Sequence, residues 1–459
     1  MEREKRAEPW AGNTGTSFPI PSLAHRNFSN SSKGLGLAKK HYDWAEGPAE
    51  IDAHSLTKHE VLVGYLLRYL QQRTLNARGR ERLRITLVDG FCGGGLYTIR
   101  GQSKLILGSP LRMLAAVDEA RILVNKDRTK PLELDVQYVF IDKDASAVSF
   151  LSKVLQERGY GAAIGKSIHL IHEEFAKVND AVIQLIKRHT PRAGTALFFL
   201  DQYGYIDVPA NLIQRIFSEL PGSEVVLTFH VSSFATYTND QFTNHVSGKL
   251  AIDIGSALGG RSIEKLKEDD ADWRRFIQAA LYQALVRNCG AQFFTPFFIR
   301  GEGSGHGEYW LVHLSQHPRA QDVMKQVHWK HQNHFVHYGG AGLDMLATHT
   351  MGFRQEFNGG FQFDDVARSE STKALVQQLA TNVYVRNVPV QLGELFSSTC
   401  NTSPATSSMY KTALEQLAGQ SDILVTSKNG KRMTRARYMS DTDVIERSRQ
   451  SSLFSTSMG

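Results

Sequence analysis

Cysteine is scarce in this sequence. Cys92, Cys289 and Cys400 are the three among 459 residues, and no two of them stand at a CxxC spacing. A zinc ribbon or a disulfide framework needs clustered or paired cysteines. Both are excluded on spacing, and free thiols in a reducing compartment are expected. Long apolar runs are lacking as well: none approaches the roughly 20 residues that cross a bilayer. The N-terminus, MEREKRAEPWAGNTG, carries no apolar stretch of the kind that marks a secretory leader. A cytoplasmic protein without membrane contact is the expectation. Internal repeats are absent, and the charge is not strongly one-sided. Against 46 Asp and Glu stand 53 Lys and Arg, a formal net charge of +7, which permits a polyanionic partner without requiring one.

What is present exceeds a single hydrophobic core, so two or more folded units are expected. Residues 1–40 are rich in Ser, Asn, Gly and Pro and bury too little to offset their ordering entropy, which reads as a disordered arm. Leu56, Val63, Leu66, Leu67 and Leu70 then recur at helical spacing. From Arg84 onward strand-like and helix-like segments alternate five times. The strands are RITLVD, VQYVFID, SIHLIH, TALFFLD and EVVLTFH, and Ser109-Pro110 reads as cap and first residue of the first helix between them. Such alternation predicts a parallel sheet with helices on both faces. One long helix over 262–288 follows, and then QFFTPFFIR and EYWLVHLSQ around GEGSGHG, an antiparallel hairpin. The expected fold over residues 41–319 is therefore α/β, a class I methyltransferase-like Rossmann sheet closed by an antiparallel hairpin. Residues 320–395 read as a helical connecting region. Residues 396–440 read as a winged helix-turn-helix: Pro404 opens a helix that Gly419 ends, and two strands flank Asn429-Gly430. Residues 441–459 are a tail.

Chemistry concentrates at the expected strand ends. The first strand runs into Asp89-Gly90-Phe91-Cys92-Gly93-Gly94-Gly95. Gly93 and Gly95 would let backbone approach a ligand, and Asp89 can hold a cationic amino acid tail. A tight turn with no ligand reads the same residues equally well. The second strand ends in Asp142, which can accept both hydroxyls of a ribose or cap the following helix. Glu173, with Glu174, could face an adenine amino group or simply water. The fourth strand ends in Asp201-Gln202-Tyr203-Gly204. There the acid and the aromatic ring match in part the loop that holds an exocyclic amine and stacks on a flipped base. His328, His331, His334 and His337 recur every third residue. On an α-helix three-residue steps drift around the axis, so no metal site is expected and the imidazoles read as solvated or stacked. Lys428, Lys431, Arg432, Arg435 and Arg437 surround the expected wing and suit phosphate contacts, or solubility alone.

In order and spacing, DGFCGGGLYTIRGQ, GSPLRML, VFIDKD, FFLDQYG, the helix around Asp272-Trp273 and EYWLVHLSQHPRA resemble the three-Cys-motif partner family, TcmP. With the terminal winged helix the resemblance spans about residues 41–437. It implies a methyltransferase-like domain plus a winged helix, in bacteria or their mobile elements. It also implies a partner encoded nearby, a protein with three clustered cysteines resembling radical S-adenosylmethionine enzymes, to which the three cysteines of the name belong. Members of the family typically carry Asp-Pro-Tyr-Gly where this chain has Asp201-Gln202-Tyr203-Gly204.

Two functions compete on these residues. In the first, an S-adenosylmethionine-dependent methyltransferase acts on nucleic acid. Asp89 holds the methionine end, Gly93 and Gly95 give access, Asp142 binds the ribose, and Asp201 and Tyr203 are catalytic residues that position the acceptor. In the second, a non-catalytic adaptor docks the three-Cys-motif protein to DNA through the winged helix. A nicotinamide-dependent oxidoreductase is disfavoured, because the compact dinucleotide fingerprint spacing is missing.

Overall fold

A computed structural model describes residues 42–448, apart from 46, 52–54, 76–80, 100, 102–103, 203–205, 231–246, 270–272, 300–308, 332–334, 338–339 and 344–360. The expected disordered arm, the hairpin's glycine-rich connection and His334 lie outside the described residues.

Each of the five predicted strand segments is a strand: β2 (Arg82–Asp89), β5 (Glu133–Asp142), β6 (Ile168–His172), β7 (Ala196–Leu200) and β8 (Ser223–His230). They pair in parallel in the order β6-β5-β2-β7-β8. The hairpin strands β9 (Phe293–Ile299) and β10 (Tyr309–Ser315) then add antiparallel, with β10 against β8. The later of the two hairpin strands thus sits inside the earlier one, which makes this a class I methyltransferase-like Rossmann sheet. The sheet does not stop there. The short strands β11 (Phe335–His337) and β12 (Phe361–Gln362) continue it beyond β9. They fall in the stretch read from sequence as a helical connection. Two and three residues are too few to show a period, and their effect is to cover the backbone edge of β9.

Helices bury both faces. On one side lie α1 (Ser55–Thr74), α2 (Ser109–Asn125), α3 (Ala145–Glu157) and a helix at Pro318–Lys330; on the other lie α4 (Phe175–His189), α5 (Ala210–Glu219) and a helix at Trp273–Cys289. Sheet residues partition by pleat. Ile85 and Leu87 face Leu66, Leu111 and Val117, whereas Val88 and Val139 face Val182 and Ile186. In chain order the helices after α5 are α6 (Ile254–Ala257), α7 (Ile263–Asp269), α8 (Trp273–Cys289) and α9 (Pro318–Lys330). The long helix expected over 262–288 is thus described as two, α7 and α8. The start of α2 also differs from expectation. Gly108 is its N-cap, and Ser109 lies inside the helix without capping it. A side chain on Gly108 would meet Tyr97 at 2.7 Å and the Gly95 carbonyl at 3.1 Å, so only glycine fits there.

The small sheet of β1 (Ala49–Ile51), β3 (Leu96–Ile99) and β4 (Leu105–Leu107) sits beside the glycine loop. The winged helix comprises α10 (Asp365–Arg386), β13 (Val390–Gln391), α11 (Leu392–Thr399), α12 (Ser407–Gly419), β14 (Ile423–Thr426) and β15 (Val444–Arg447). Its strands order β13-β15-β14. It extends on both sides of the 396–440 stretch expected from sequence, because α10 packs on α12 and β15 closes the sheet. The helix expected to open at Pro404 starts at Ser407 as α12, with Thr406 as its cap, the hydroxyl accepting from Met409 N–H. A tight turn does form at Asn429-Gly430, with Ser427 N–H donating to the Lys431 carbonyl at 2.9 Å. Across that turn only Thr426 bridges to Arg432, and the true partner of β14 is β15. The chain is drawn off by Glu415 of α12, which accepts from Arg435 at 3.1 Å and from Ala436 N–H at 2.7 Å.

Winged helix and Rossmann sheet share one continuous apolar core, in which Leu375, Leu395 and Leu414 belong with Leu66 and Val327. Within it lies a polar knot. The Tyr65 hydroxyl donates to Glu224, and His313 Nε2 stands 3.1 Å from the same carboxylate and 3.0 Å from the Tyr65 hydroxyl. All three residues are buried. Removing the carboxylate opens a buried polar cavity and leaves the phenol and imidazole only each other as partners, which costs more than a net hydrogen bond gains. Glu224→Ala is expected to lower the unfolding free energy by about 2–4 kcal/mol, read by urea titration. Glu224→Gln should recover part of the loss, and an unchanged midpoint in both variants would show that the knot contributes nothing.

Candidate functional site

The carboxyl ends of β2, β5 and β7 converge on one edge of the sheet, where open α/β folds place their ligands. Asp89 closes β2 and is fully buried. Its Oδ1 accepts from Phe91 N–H at 3.2 Å, while Oδ2 is buried and meets no hydrogen-bond partner among the described residues. Burial pushes the carboxyl up to about 7, against a smaller opposing pull from Ser109 and the Phe91 amide. A cation placed beside this carboxylate would hold it ionised.

The loop after Asp89 needs its glycines for two different reasons. Gly93 and Gly95 take left-handed backbone, φ +57° and +76°. Gly94 is required by a neighbour: a Cβ there would lie 2.3 Å from the Trp44 indole. Trp44 and Tyr97 pack edge-on at 5.7 Å against this loop, and Trp44 Nε1 donates to the Leu96 carbonyl at 3.4 Å. Part of the room read from sequence as ligand space is therefore aromatic core.

Asp142, ending β5, reaches across to the loop. Its Oδ2 accepts from Gly93 N–H at 2.9 Å and its Oδ1 from Asp144 N–H at 2.9 Å. Burial raises its carboxyl despite those two bonds. The helix-capping role goes instead to Asp144, which accepts from Ser146 N–H. Glu173 stands apart from this cluster. It is half-buried, and the Glu174 amide at 2.9 Å and Lys177 at 3.1 Å engage its carboxylate and hold it below the usual range.

Asp201 is partly buried at the end of β7 and engaged through one carboxylate oxygen. Lys58 Nζ stands 2.8 Å from its Oδ1, and Thr228 Oγ1 donates to the same oxygen at 2.6 Å. Burial pushes the carboxyl up, but the Lys58 charge and the two hydrogen bonds outweigh it, so it stays ionised below the ordinary range. Gln202 is buried as a clamp. Its Nε2 donates to the Thr228 carbonyl at 3.2 Å, and its Oε1 accepts from Asp207 N–H and Val208 N–H. Tyr203 and Gly204 lie outside the described residues.

Lys58 and His59 are site residues that motif reading passed over. Both are buried on α1, and burial together with Arg112 lowers the His59 imidazole to about 4, leaving it neutral. A signal existed in the sequence: they stand four and three positions before Leu62, on the apolar stripe that continues to Leu66 and Leu70. A lysine and a histidine in core register require partners, and Asp201 is one.

The five basic residues of the wing are all exposed. Arg432 donates to the Ala418 carbonyl at 3.3 Å and Arg435 pairs with Glu415. Lys428, Lys431 and Arg437 project without an ion pair among the described residues, and the Arg437 guanidinium lies 4.7 Å over the exposed Tyr438 ring. Of the periodic histidines, His328 is buried against Phe363 at 6.3 Å between ring centroids, not solvated, and His337 falls in β11. No helix among the described residues is long and apolar enough to cross a membrane.

Residues 351–430 match the family model of the GMT-like wHTH domain. Nothing among curated proteins matches the sequence. Trm1 from Pyrococcus horikoshii, solved with S-adenosyl-L-methionine, is a similar structure at 10% identity, covering 88% of this chain and 93% of its own with a TM-score of 0.30. The O-methyltransferase TomG from Streptomyces achromogenes, in complex with SAM, is 17% identical over 55% of this chain and 79% of its own, TM-score 0.25. A Legionella pneumophila protein is 9% identical over 58% and 89%, TM-score 0.33. The fold assignment rests on the strand order of the sheet itself.

Asp89 gives the fold a distinctive pH response. An exposed aspartate ionises near pH 4, whereas folded Asp89 keeps its proton to about 7. Its contribution to stability is thus full below pH 4 and is lost as pH climbs to 7. Asp89→Asn removes that loss. Its gain in unfolding free energy over wild type should be roughly 2–3 kcal/mol larger at pH 8 than at pH 5. Parallel urea curves with a pH-independent difference would contradict a buried, proton-holding Asp89.

Proposed function

We propose that this chain binds S-adenosylmethionine at the glycine loop and serves as a methyltransferase-like protein acting on or with nucleic acid. The observation that carries the reading is the unpartnered Asp89 Oδ2, buried at the sheet edge beside Gly93 and Gly95. A buried carboxylate oxygen without a donor is costly unless something supplies one, and an α-ammonium group fits that need. Asp142 would offer its remaining lone pairs to ribose hydroxyls while holding the loop through Gly93. Glu173 would stand at the outer rim toward the base. When bound, the cofactor supplies an electrophilic methyl group on its sulfonium. The chain's own part is to orient the acceptor and exclude water: Asp201, held ionised by Lys58, would accept a hydrogen bond from the acceptor, and Tyr203 would share in positioning it. Lys428, Lys431, Arg432, Arg435 and Arg437 would take phosphates.

One observation favours the alternative, a non-catalytic adaptor that brings a three-Cys-motif protein of the radical-S-adenosylmethionine type to DNA. Asp201 already spends its Oδ1 on Lys58 and Thr228, and Gln202 fills the place of the proline typical of the resembled family as a structural clamp. Neither is poised as a free amine-binding loop would be. Nucleic-acid binding that survives loss of cofactor binding would favour this second reading.

The test is calorimetric titration of S-adenosylmethionine and S-adenosylhomocysteine into the full chain at pH 6 and pH 8. Micromolar binding is expected, weakened at least tenfold in Asp142→Ala. Binding that needs ionised Asp89 must release its proton below pH 7, so wild-type affinity should be roughly tenfold weaker at pH 6 than at pH 8. Asp89→Asn should show no such pH dependence. No heat with either ligand, in protein shown to be folded, sinks the cofactor reading.

A further inference from the structure

In helix-turn-helix proteins the N-terminal residues of the second helix contact base edges in the major groove. Here that position belongs to α12, and it is already occupied from within the chain. Asp322 of α9 is buried, and its Oδ1 accepts from Ser407 N–H at 2.6 Å while its Oδ2 accepts from Ser407 Oγ at 2.7 Å. A carboxylate at a helix N-terminus takes up the backbone donors and the dipole that would otherwise meet an acceptor of the nucleic acid. Three neighbours on α9 seal the contact. Gln321 Nε2 donates to the Phe294 carbonyl and to Asn401 Oδ1, Lys325 Nζ to the Cys400 carbonyl at 2.7 Å, and Trp329 Nε1 to the Pro404 carbonyl at 2.9 Å. Gln321 and Lys325 are wholly inaccessible to solvent. Releasing α12 would strip the buried Asp322 of both its Ser407 contacts, so the helix stays docked.

The outward face of α12 is also poor in charge suited to phosphate. Ser408, Thr412 and Gln416 are exposed along it, Lys411, its one lysine, is half-buried, and Glu415 is committed to Arg435 and Ala436. The opposite arrangement holds on the wing. Lys428, Lys431 and Arg437 stand in water, and Tyr438 exposes 60% of its surface beneath the Arg437 guanidinium. Unpaired cations beside an accessible aromatic face are what a chain with unstacked bases requires: phosphates meet the charges and a base stacks on the ring.

We propose that this winged helix binds single-stranded nucleic acid through its wing, with Lys428, Lys431 and Arg437 on phosphates and Tyr438 as a stacking platform, and does not read duplex sequence through α12. The proposal rests on the nucleic-acid part of the reading above and specifies which surface and which form of nucleic acid it uses. Because the wing is fixed to the Rossmann sheet through α9, a strand held there has a defined position relative to the glycine-loop edge.

The test is fluorescence anisotropy of the full chain with a labelled mixed-sequence 20-nucleotide single strand and with the matching duplex, across a salt series. The single strand should bind at least tenfold tighter than the duplex. The triple variant Lys428→Glu, Lys431→Glu, Arg437→Glu should weaken it at least tenfold and lower the slope of log affinity against log salt by about 2, near 0.7 per lost contact. Tyr438→Ala should cost roughly tenfold with little change of salt slope. Ser408→Glu with Thr412→Glu, on the exposed face of α12, should stay within twofold. Equal or tighter duplex binding, or a larger loss from the α12 variant than from the wing variant, overturns the proposal while leaving nucleic-acid binding itself intact. Absence of binding to either probe by wild-type protein overturns the nucleic-acid reading as well. All substituted residues lie at the surface, and thermal melts check that each variant is folded.

Discussion

Two backbone N–H groups join the ends of the first two parallel strands: Cys92 donates to the Ile141 carbonyl and Gly93 to the Asp142 carboxylate, each at 2.9 Å. The second of these bonds ties down the glycine loop. It holds the loop in the left-handed turn that Gly93 alone can adopt without strain, and it places Asp89 behind the loop with one oxygen unsatisfied. It also leaves space at Gly94 that the Trp44 indole fills. The tight turn expected from sequence as one alternative does form, and Trp44 packs against it; ligand chemistry at the same residues belongs to the proposed reading.

Two helices outside the five strand–helix units tie the molecule together by carrying polar side chains where apolar ones are expected. From α1, Lys58 and His59 reach the end of β7, and Lys58 sets the charge state of Asp201. From α9, Asp322 and Lys325 fasten the winged helix. Buried ion and hydrogen-bond contacts of this kind add little net stability over apolar packing, but once made they are expensive to break. They specify geometry, and here they fix the carboxylate-lined sheet edge and the winged helix around a shared core.

The parallel strands were legible because they are buried on both faces, so their apolar runs stand out against the amphipathic helices between them. Asp89 and Asp142 were legible for the same reason, as acids at the ends of such runs. Asp201 was found, but its partner was not: Lys58 lies 143 positions away, and only its place on the apolar stripe of α1 hinted at burial. The strands β11 and β12 are too short to carry a period. The wing's Asn-Gly turn was readable from local chemistry, whereas the departure of the chain after Arg432 depends on Glu415 from a different element. The three-Cys-motif partner remains a proposal resting on resemblance, while the winged helix itself also matches a family model of its own.

The edge formed by Asp89, the Gly93–Gly95 turn and Asp142 is proposed to hold S-adenosyl ligands. Amide hydrogen exchange with and without saturating S-adenosylhomocysteine tests that proposal most directly, because it reports where a ligand acts and not only that one binds. Slowed exchange confined to residues 89–97 and 140–146, with the winged helix unchanged, is the predicted result. Unaltered exchange at that edge, or protection appearing only elsewhere in the chain, would contradict it.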